Sequence, residues 1–400
     1  MKVAHLIAQF YPHIGGAEIC IHNISSALTD RGCDATVVTT TAPPLRPPDL
    51  PYNMIYLWNR TCGLLRKIPF LGKFYLHSCL KELQDKHNFD IWQVTMGYPL
   101  GVYAVEFFKK HNIPCVLRCC GEDIQKFPEI NYGYRLDAGI DSLVRRFYPE
   151  YDGLIALTPT VKNEYLDLGI PENKIRIIPN GADCSKFSGI AADSDFLQQV
   201  KDSFNAGNKK IILTTGRYHP KKGFDYIPEC AAHLQKLGIE FVWIIAGPGA
   251  GKLNDKFPEL ENLGIVCTEK FSKGDEGAFS LPPDSLVALY CAADIFVLPT
   301  RVETFGMVLV EAMAAGLPIV TTDAPGVCDV IDDQVNGLKV ESDNPVQIAE
   351  AAASVLSDKD KADLLSGNAL KTAEAKYDWP VVTTAYAEFY NEILNKAASR

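Results

Sequence analysis

The chain is 400 residues long, 47% hydrophobic and 22% charged, with a formal net charge of −10 and a mean hydropathy near zero. That length asks for two domains or more, each able to bury its own core. The acidic balance argues against a nucleic-acid partner, and no apolar run approaches the roughly 18 residues of a membrane helix.

Residues 3–8 predict a first strand, so the opening MKVAHLIAQF reads as structure rather than as a secretory leader. A loop over 9–16 and a helix from about residue 17 follow. Gly15 and Gly16 at this junction permit positive φ and bring backbone N–H groups close to a ligand. They do not form G-x-G-x-x-G, so the dinucleotide fingerprint is missing and an NAD-dependent dehydrogenase is disfavoured. A helix to Arg31-Gly32 and a strand over 35–40 complete a βαβ unit.

Between residues 50 and 81 stand Arg60, Arg66, Lys67, Lys73 and Lys81, with no acidic residue among them. Leu64, Leu65, Ile68, Phe70, Leu71, Phe74, Tyr75 and Leu76 are interleaved. Pro69 and Gly72 are expected to break the stretch into short helices. Two readings of residues 60–76 stand side by side: core helix with a basic rim, or a surface for anionic lipid or an anionic acceptor.

Strand patterns at 91–95 and 114–118 alternate with helical ones at 100–111 and 136–147. A strand at 154–157 leads to Thr158-Pro159, a cap and first-turn signal for a helix to 168. The strand at 174–178 ends in the turn Pro179-Asn180-Gly181. Beyond Phe187 no strand pattern appears up to residue 208, and the domain boundary is expected there.

The second half restarts the alternation. A strand at 210–215 precedes a Gly-bounded basic loop, Gly216-Arg217-Tyr218-His219-Pro220-Lys221-Lys222-Gly223, and a helix to 237. The strand at 241–246 precedes Gly247-Pro248-Gly249-Ala250-Gly251-Lys252, which imitates a P-loop. It fails at both ends: Ala246 replaces the first Gly, and Leu253 replaces the Ser or Thr that must hold magnesium. A helix at 284–292 and a strand at 293–298 then lead into PTRVETFGMVLVEAMAAG, residues 299–316. This stretch runs from loop to helix with Glu303 in the loop and Glu311 inside the helix. Both can face one cavity at the carboxyl edge of a sheet, where open α/β sheets bind ligands. The N–H groups near Phe305, Gly306 and Met307 open the helix and favour an anion. A strand at 318–321, the turn Ala324-Pro325-Gly326 and helices at 345–356, 359–376 and 379–394, the last kinked at Pro380, complete the chain.

Two parallel-sheet α/β domains facing each other across a cleft are therefore expected. Arg217 and Lys222 suit a diphosphate, and Glu303 and Glu311 suit sugar hydroxyls; together they describe a nucleotide sugar. The twelve cysteines are scattered, without C-x-x-C pairs or zinc spacing, and read as free, mostly buried thiols of a reducing cytoplasm.

Over nearly its full length the chain resembles family 4 of the retaining glycosyltransferases, whose GT-B fold pairs two Rossmann-like domains. Glu303 to Glu311, with the continuation Ala-Met-Ala-Ala-Gly-Leu-Pro, corresponds to the family's E-x7-E motif. Gly216-Arg217 with Lys222-Gly223 corresponds to its donor diphosphate loop. Ile178 to Asp183 corresponds to the turn before the interdomain linker, and Gly15-Gly16-Ala17-Glu18 to the first glycine loop.

The resemblance implies an N-terminal acceptor domain of residues 1–184 plus 379–400, because the last helix crosses back. It implies a linker over 185–208 and a nucleotide-sugar domain over 209–378. It makes Arg217 and Lys222 the clamp on the leaving diphosphate and gives Glu303 to the transferred sugar, Glu311 to the ribose. Thr304, Phe305, Gly306 and Met307 would line the donor, together with Gly15, Gly16 and Gly216. A hexosyl unit would pass, with retention and by front-face attack, to a glycan or lipid-linked hydroxyl. Neither metal nor other cofactor is expected, and uridine is the first choice of base, guanosine the second. Cell-envelope polysaccharide synthesis would place the enzyme in the cytoplasm, peripherally on the inner membrane face.

One departure stands out. Where many members have a His-Gly-x-Asp-like run, this chain reads Cys119-Cys120-Gly121-Glu122-Asp123. A thiol lacks the cationic hydrogen bond of an imidazole. Either Asp123 and the backbone position the sugar, or His13 reaches in from the first loop, with Cys120 and Glu122 beside it. The runs Asp193-Ser194-Asp195 and Asp358-Lys359-Asp360 follow no predicted strand and read as surface. A nucleotide-sugar epimerase or hydrolase of the same fold is the alternative. A catalytically silent sugar-nucleotide binder is disfavoured by Arg217, Lys222 and Glu303 together.

Overall fold

Apolar, β-branched runs alternate with helices along the chain, and the structure gathers them into two parallel sheets. It is a computed structural model that describes all residues except 14, 46–48, 270–281 and 400. The loop expected over 9–16 therefore lies outside the described residues at position 14. The first sheet holds β1 (Lys2–Ile7), β2 (Asp34–Thr39), β3 (Asn53–Tyr56), β4 (Ile91–Thr95), β5 (Cys115–Arg118), β6 (Gly153–Ala156) and β7 (Ile175–Ile177). Their order is β3-β2-β1-β4-β5-β6-β7, with Leu6 of β1 opposite Val38 on one side and Val94 on the other. The second sheet holds β8 (Lys210–Thr215), β9 (Phe241–Ala246), β10 (Ile265–Thr268), β11 (Ile295–Leu298), β12 (Ile319–Thr322) and β13 (Leu338–Val340), in the order β10-β9-β8-β11-β12-β13.

Central strands β4, β9 and β11 are buried along their whole length, as parallel strands covered by helices on both faces must be. In each sheet the order reverses beside the unit's first strand, at β1/β4 and at β8/β11. That reversal opens a crevice at the carboxyl ends.

The chain divides into two compact units, Met1–Asn180 with Trp379–Arg400, and Gly181–Asp378. Residues 185–208, expected as a linker, instead belong to the second unit. Asp183 and Asp193 cap the helices Cys184–Ala191 and Ser194–Ser203, and Phe187 packs its ring 5.9 Å from that of Tyr290 on helix Asp284–Ala292. The missing strand pattern was a helical pattern carried by Asp caps and a few apolar anchors. Both D-x-D runs are such caps: Asp193 accepts from the Phe196 N–H and Asp358 from the Lys361 N–H, each at 3.0 Å.

The final helix, Trp379–Ala398, packs into the first unit, where Tyr390 donates to Gln93 Oε1 at 2.6 Å. Pro380 sits in its first turn, where no kink results. The helix expected over 359–376 ends at Thr372 and passes into a wide turn, Ala373–Tyr377.

The basic stretch forms a hairpin of helices Thr61–Lys67 and Pro69–His87. The stretch breaks at Ile68-Pro69 as expected, with Pro69 opening the second helix, but Gly72 lies inside that helix and does not break it. A Cβ at Gly72 would stand 2.7 Å from the Leu65 nitrogen, so this glycine is what lets the two helices meet.

Candidate functional site

The loop after β8 is built from its own sequence. His219 Nδ1 accepts from the Lys221 N–H at 3.2 Å, Pro220 opens a single 3-10 turn, and Gly223 ends it with φ +65°. The loop after β11 is laced to it. Thr300 Oγ1 donates to the Lys221 carbonyl at 2.8 Å, and the Arg301 N–H donates to the same oxygen at 2.7 Å. Gly223 lies so close to the Pro299 carbonyl that a Cβ would stand 1.8 Å from it. On the other side the Glu303 N–H donates to the Pro325 carbonyl at 2.9 Å. These bonds place Lys222 Nζ 2.5 Å from Glu303 Oε1, with both side chains nearly buried.

Burial pushes the Glu303 carboxyl up, but the charges of Lys222 and Lys221 outweigh it and hold the group below the ordinary carboxylate range. Glu311 behaves oppositely. It lies on helix Met307–Ala314, and its Oε2 accepts from the Tyr290 hydroxyl at 2.8 Å. Tyr290 is itself bonded to Thr215 Oγ1 at 2.5 Å. Burial raises the Glu311 carboxyl above its ordinary value, and the Tyr290 hydrogen bond and the Lys222 charge oppose this only in part. One ammonium group thus acts on both carboxylates, and the loop and helix glutamates share one electrostatic centre.

Gly306 caps helix Met307–Ala314 in the left-handed region, φ +82°. The Phe305 ring turns into the core against Tyr377, at 5.7 Å between centroids, so Phe305 can meet a ligand only through its backbone. Thr304 is buried beside it. Gly216, φ +141°, faces the Lys222 chain, its missing Cβ position 3.5 Å from Lys222 Cε. Arg217 is exposed and has no side-chain partner among the described residues.

In the first unit the expected residues separate into two groups. Asp123 is fully buried: Oδ2 accepts from the Gly97 N–H at 2.7 Å, and Oδ1 from the N–H groups of Cys120 and Gly121 at 2.9 and 3.0 Å. The carboxylate expected to position a sugar also clamps the loop that follows β5, accepting from three main-chain donors. Cys120 Sγ accepts from Arg118 Nη1 at 2.9 Å, and burial pushes its thiol up to about 12, leaving it neutral. Arg118 is wholly buried and also binds Asn180 and the Tyr386 hydroxyl, the latter at 3.0 Å. The Glu122 carbonyl accepts from the Tyr134 N–H at 2.7 Å.

His13 is exposed, its Nε2 3.9 Å from Oε1 of the buried Glu18, whose charge also acts on Cys120. Gly15 is extended, φ −149°, and Gly16 starts the helix, so the positive φ expected there is not used.

Sequence reasoning missed Tyr290, Thr215, Thr300, Arg118 and Glu18 as parts of these networks. Tyr290 and Arg118 sit in ordinary apolar elements, and only packing reveals their partners. All twelve cysteines are free thiols; Cys20, Cys115, Cys119 and Cys230 are buried and most others half-buried. Among the described residues no three His, Cys, Asp or Glu side chains form a metal-binding group, and no helix is long and apolar enough to cross a membrane.

A basic loop and two carboxylates at the carboxyl edge of a parallel sheet, in a chain of two such sheets, define a GT-B protein. Residues 195–372 match the family described as Glycosyl transferases group 1, and residues 14–186 match Glycosyltransferase Family 4. The chain belongs to this family of group 1, family 4 glycosyltransferases. An uncharacterized glycosyltransferase of Methanocaldococcus jannaschii is 30% identical over 245 residues, 59% of this chain and 59% of its own length. The chain thus spans less than two thirds of the length of the curated relatives it matches. A glycosyltransferase of Rickettsia africae superposes with a TM-score of 0.78 at 18% identity, over 98% of this chain and 99% of that one. Anabaena HepE, solved in complex with UDP-glucose, gives 0.74 at 19% identity, over 98% and 100%. These two likenesses show the fold.

Proposed function

We propose that the protein is a retaining hexosyltransferase. It moves a sugar from a nucleoside diphosphate, uridine first by analogy with HepE, to a hydroxyl of a glycan or lipid-linked acceptor. The observation that carries this reading is the buried Lys222–Glu303 pair beside the Gly306-capped helix. An arriving diphosphate takes over the Lys222 ammonium and meets Arg217, so two cations face the charge that develops on the leaving group. Glu303, released from Lys222, accepts hydrogen bonds from the transferred sugar, while Glu311, oriented by Tyr290, accepts them from the ribose. The bond from the anomeric carbon to the diphosphate breaks as the acceptor oxygen bonds on the same face. A donor phosphate oxygen takes the acceptor proton, and the nucleoside diphosphate departs. The helix N-terminus and two cations supply the neutralising charge, so turnover persists in excess EDTA. The setting is the cytoplasm, and for a lipid-linked acceptor of the cell envelope the inner membrane face.

Incubation with several nucleotide sugars, scored for free nucleotide, tests the reading. Release that requires acceptor is the expected result; equal release without acceptor supports a hydrolysing epimerase instead. A donor nucleotide at about 100 times its dissociation constant adds roughly 2.7 kcal/mol of stability, which identifies the base independently of turnover.

A further inference from the structure

We infer that the hairpin of helices Thr61–Lys67 and Pro69–His87 is a docking surface for an anionic lipid bilayer. Its inner face is core: Leu65, Leu76 and Leu80 are fully buried in the first unit's hydrophobic cluster. Its outer face is apolar and bare. Ile68 is 49% exposed, Phe70 80%, Leu71 50% and Phe74 73%, four large side chains within seven consecutive residues. Phe70, Leu71 and Phe74 are spaced i, i+1, i+4 and share one side of the helix. Scattered exposed apolar residues are ordinary, whereas a concentrated patch marks a contact surface.

Charge decides which contact. Arg60, Arg66 and Lys67 border the patch and are exposed, and no acidic residue occurs from 50 to 81 in a chain of net charge −10. Lys73 is already committed to Glu106 at 2.7 Å, and Lys81 to Asp85. A second copy meeting this patch about a two-fold axis would set the same basic rim against itself. An anionic bilayer accepts both the rim and the apolar centre.

The hairpin also reaches the edge where an acceptor would arrive. The Arg66 guanidinium lies 5.7 Å from the ring centroids of both Tyr98 and Tyr134, on the loops after β4 and β5. The Tyr134 N–H is bonded to Glu122 in the Cys120 loop. A bilayer held by Phe70 and Phe74 therefore lies beside the first unit's strand ends. Only the purpose of the contact, delivery of a lipid-linked acceptor, rests on the function proposed above.

The test is co-sedimentation of the full chain with phosphatidylcholine vesicles, with and without one third phosphatidylglycerol. The native protein should pellet only with the anionic vesicles and be released at about 0.5 M salt, where screening is complete within a few ångströms. Lys67→Gln with Arg60→Gln should lower the vesicle partition coefficient about 25-fold, at about fivefold per charge removed. Phe70→Asp with Phe74→Asp should abolish pelleting while leaving the melting temperature and stabilisation by uridine diphosphate at native values. Native protein that stays in the supernatant at low salt overturns the inference, as does a Phe double variant that still pellets. So does a native dimer that the Phe double variant converts to monomer, since the patch is then a subunit interface. Nucleotide stabilisation is read without vesicles, so its loss in the native protein would count against the proposed function and leave docking untouched.

Discussion

Lys222 Nζ lies 2.5 Å from Glu303 Oε1, and the two side chains are only 12% and 5% exposed. A buried pair of this kind costs a great deal to break and little to replace as a unit, because removing one partner strands the other's charge. In the proposed reaction the same pair holds the cation that a donor phosphate oxygen takes over from Glu303.

Lys222→Ala should therefore destabilise the protein by about 3–5 kcal/mol in urea unfolding, even though the residue lies in a loop. Lys222→Met combined with Glu303→Gln should recover most of that loss. Turnover should remain about 10²-fold or more below native in both. Stability and activity separate in this series only if the pair has both roles; a double variant with native turnover would remove Lys222 from the mechanism.

Arg217 gives the cleaner activity test, because it is exposed and has no side-chain partner among the described residues. Arg217→Ala should shift stability by less than about 0.5 kcal/mol. Its kcat with saturating donor should fall by roughly 10². An unchanged kcat would leave Lys222 as the working cation at the diphosphate.

The two glutamates should pull stability in opposite directions with pH. Glu311 keeps its proton in the folded state above the pH at which the unfolded chain has lost it, because burial raises its pKa. The unfolded state then binds fewer protons, so stability falls as pH rises from the ordinary glutamate value to the raised one. Glu303, held low by Lys222 and Lys221 against its burial, stabilises above the ordinary value and loses that contribution as pH falls through its depressed one. Glu311→Gln should flatten the first slope and Glu303→Gln the second, measured as melting temperature from pH 3 to pH 7. Coincident profiles for both variants and the native protein would refute the assignment.

Cys120 should be unreactive. Its thiol is pushed up to about 12 by burial, against the Arg118 charge, and alkylation proceeds through the thiolate. With iodoacetamide at pH 8 the exposed Cys328 should be labelled while Cys120 stays unmodified in the folded protein. Labelling of Cys120 at a comparable rate, read by peptide mass spectrometry, would show an activated thiol in place of the expected imidazole.

The alternation of apolar runs and helical segments was enough, read alone, to call for two parallel-sheet units. It also placed Gly216, Arg217, Lys222 and Glu303 on loops at sheet edges and Glu311 inside the helix that follows. Those assignments rest on local physics: strand and helix periods, glycine and proline at turns, and residue types matched to phosphate and hydroxyl chemistry. Partnerships were beyond it. That Glu303 is neutralised by Lys222, while Glu311 leans on Tyr290, depends on residues 81 and 21 positions apart meeting through packing. The same limit explains Asp123, a plausible sugar ligand by sequence position. Only the folded loop shows both its oxygens accepting from backbone N–H groups, which holds the loops after β4 and β5 together. For residues 60–76 the composition left core and surface equally open. The folded chain buries Leu65 and Leu76, brings Gly72 against the Leu65 backbone and leaves Phe70 and Phe74 exposed, a division no local signal marks.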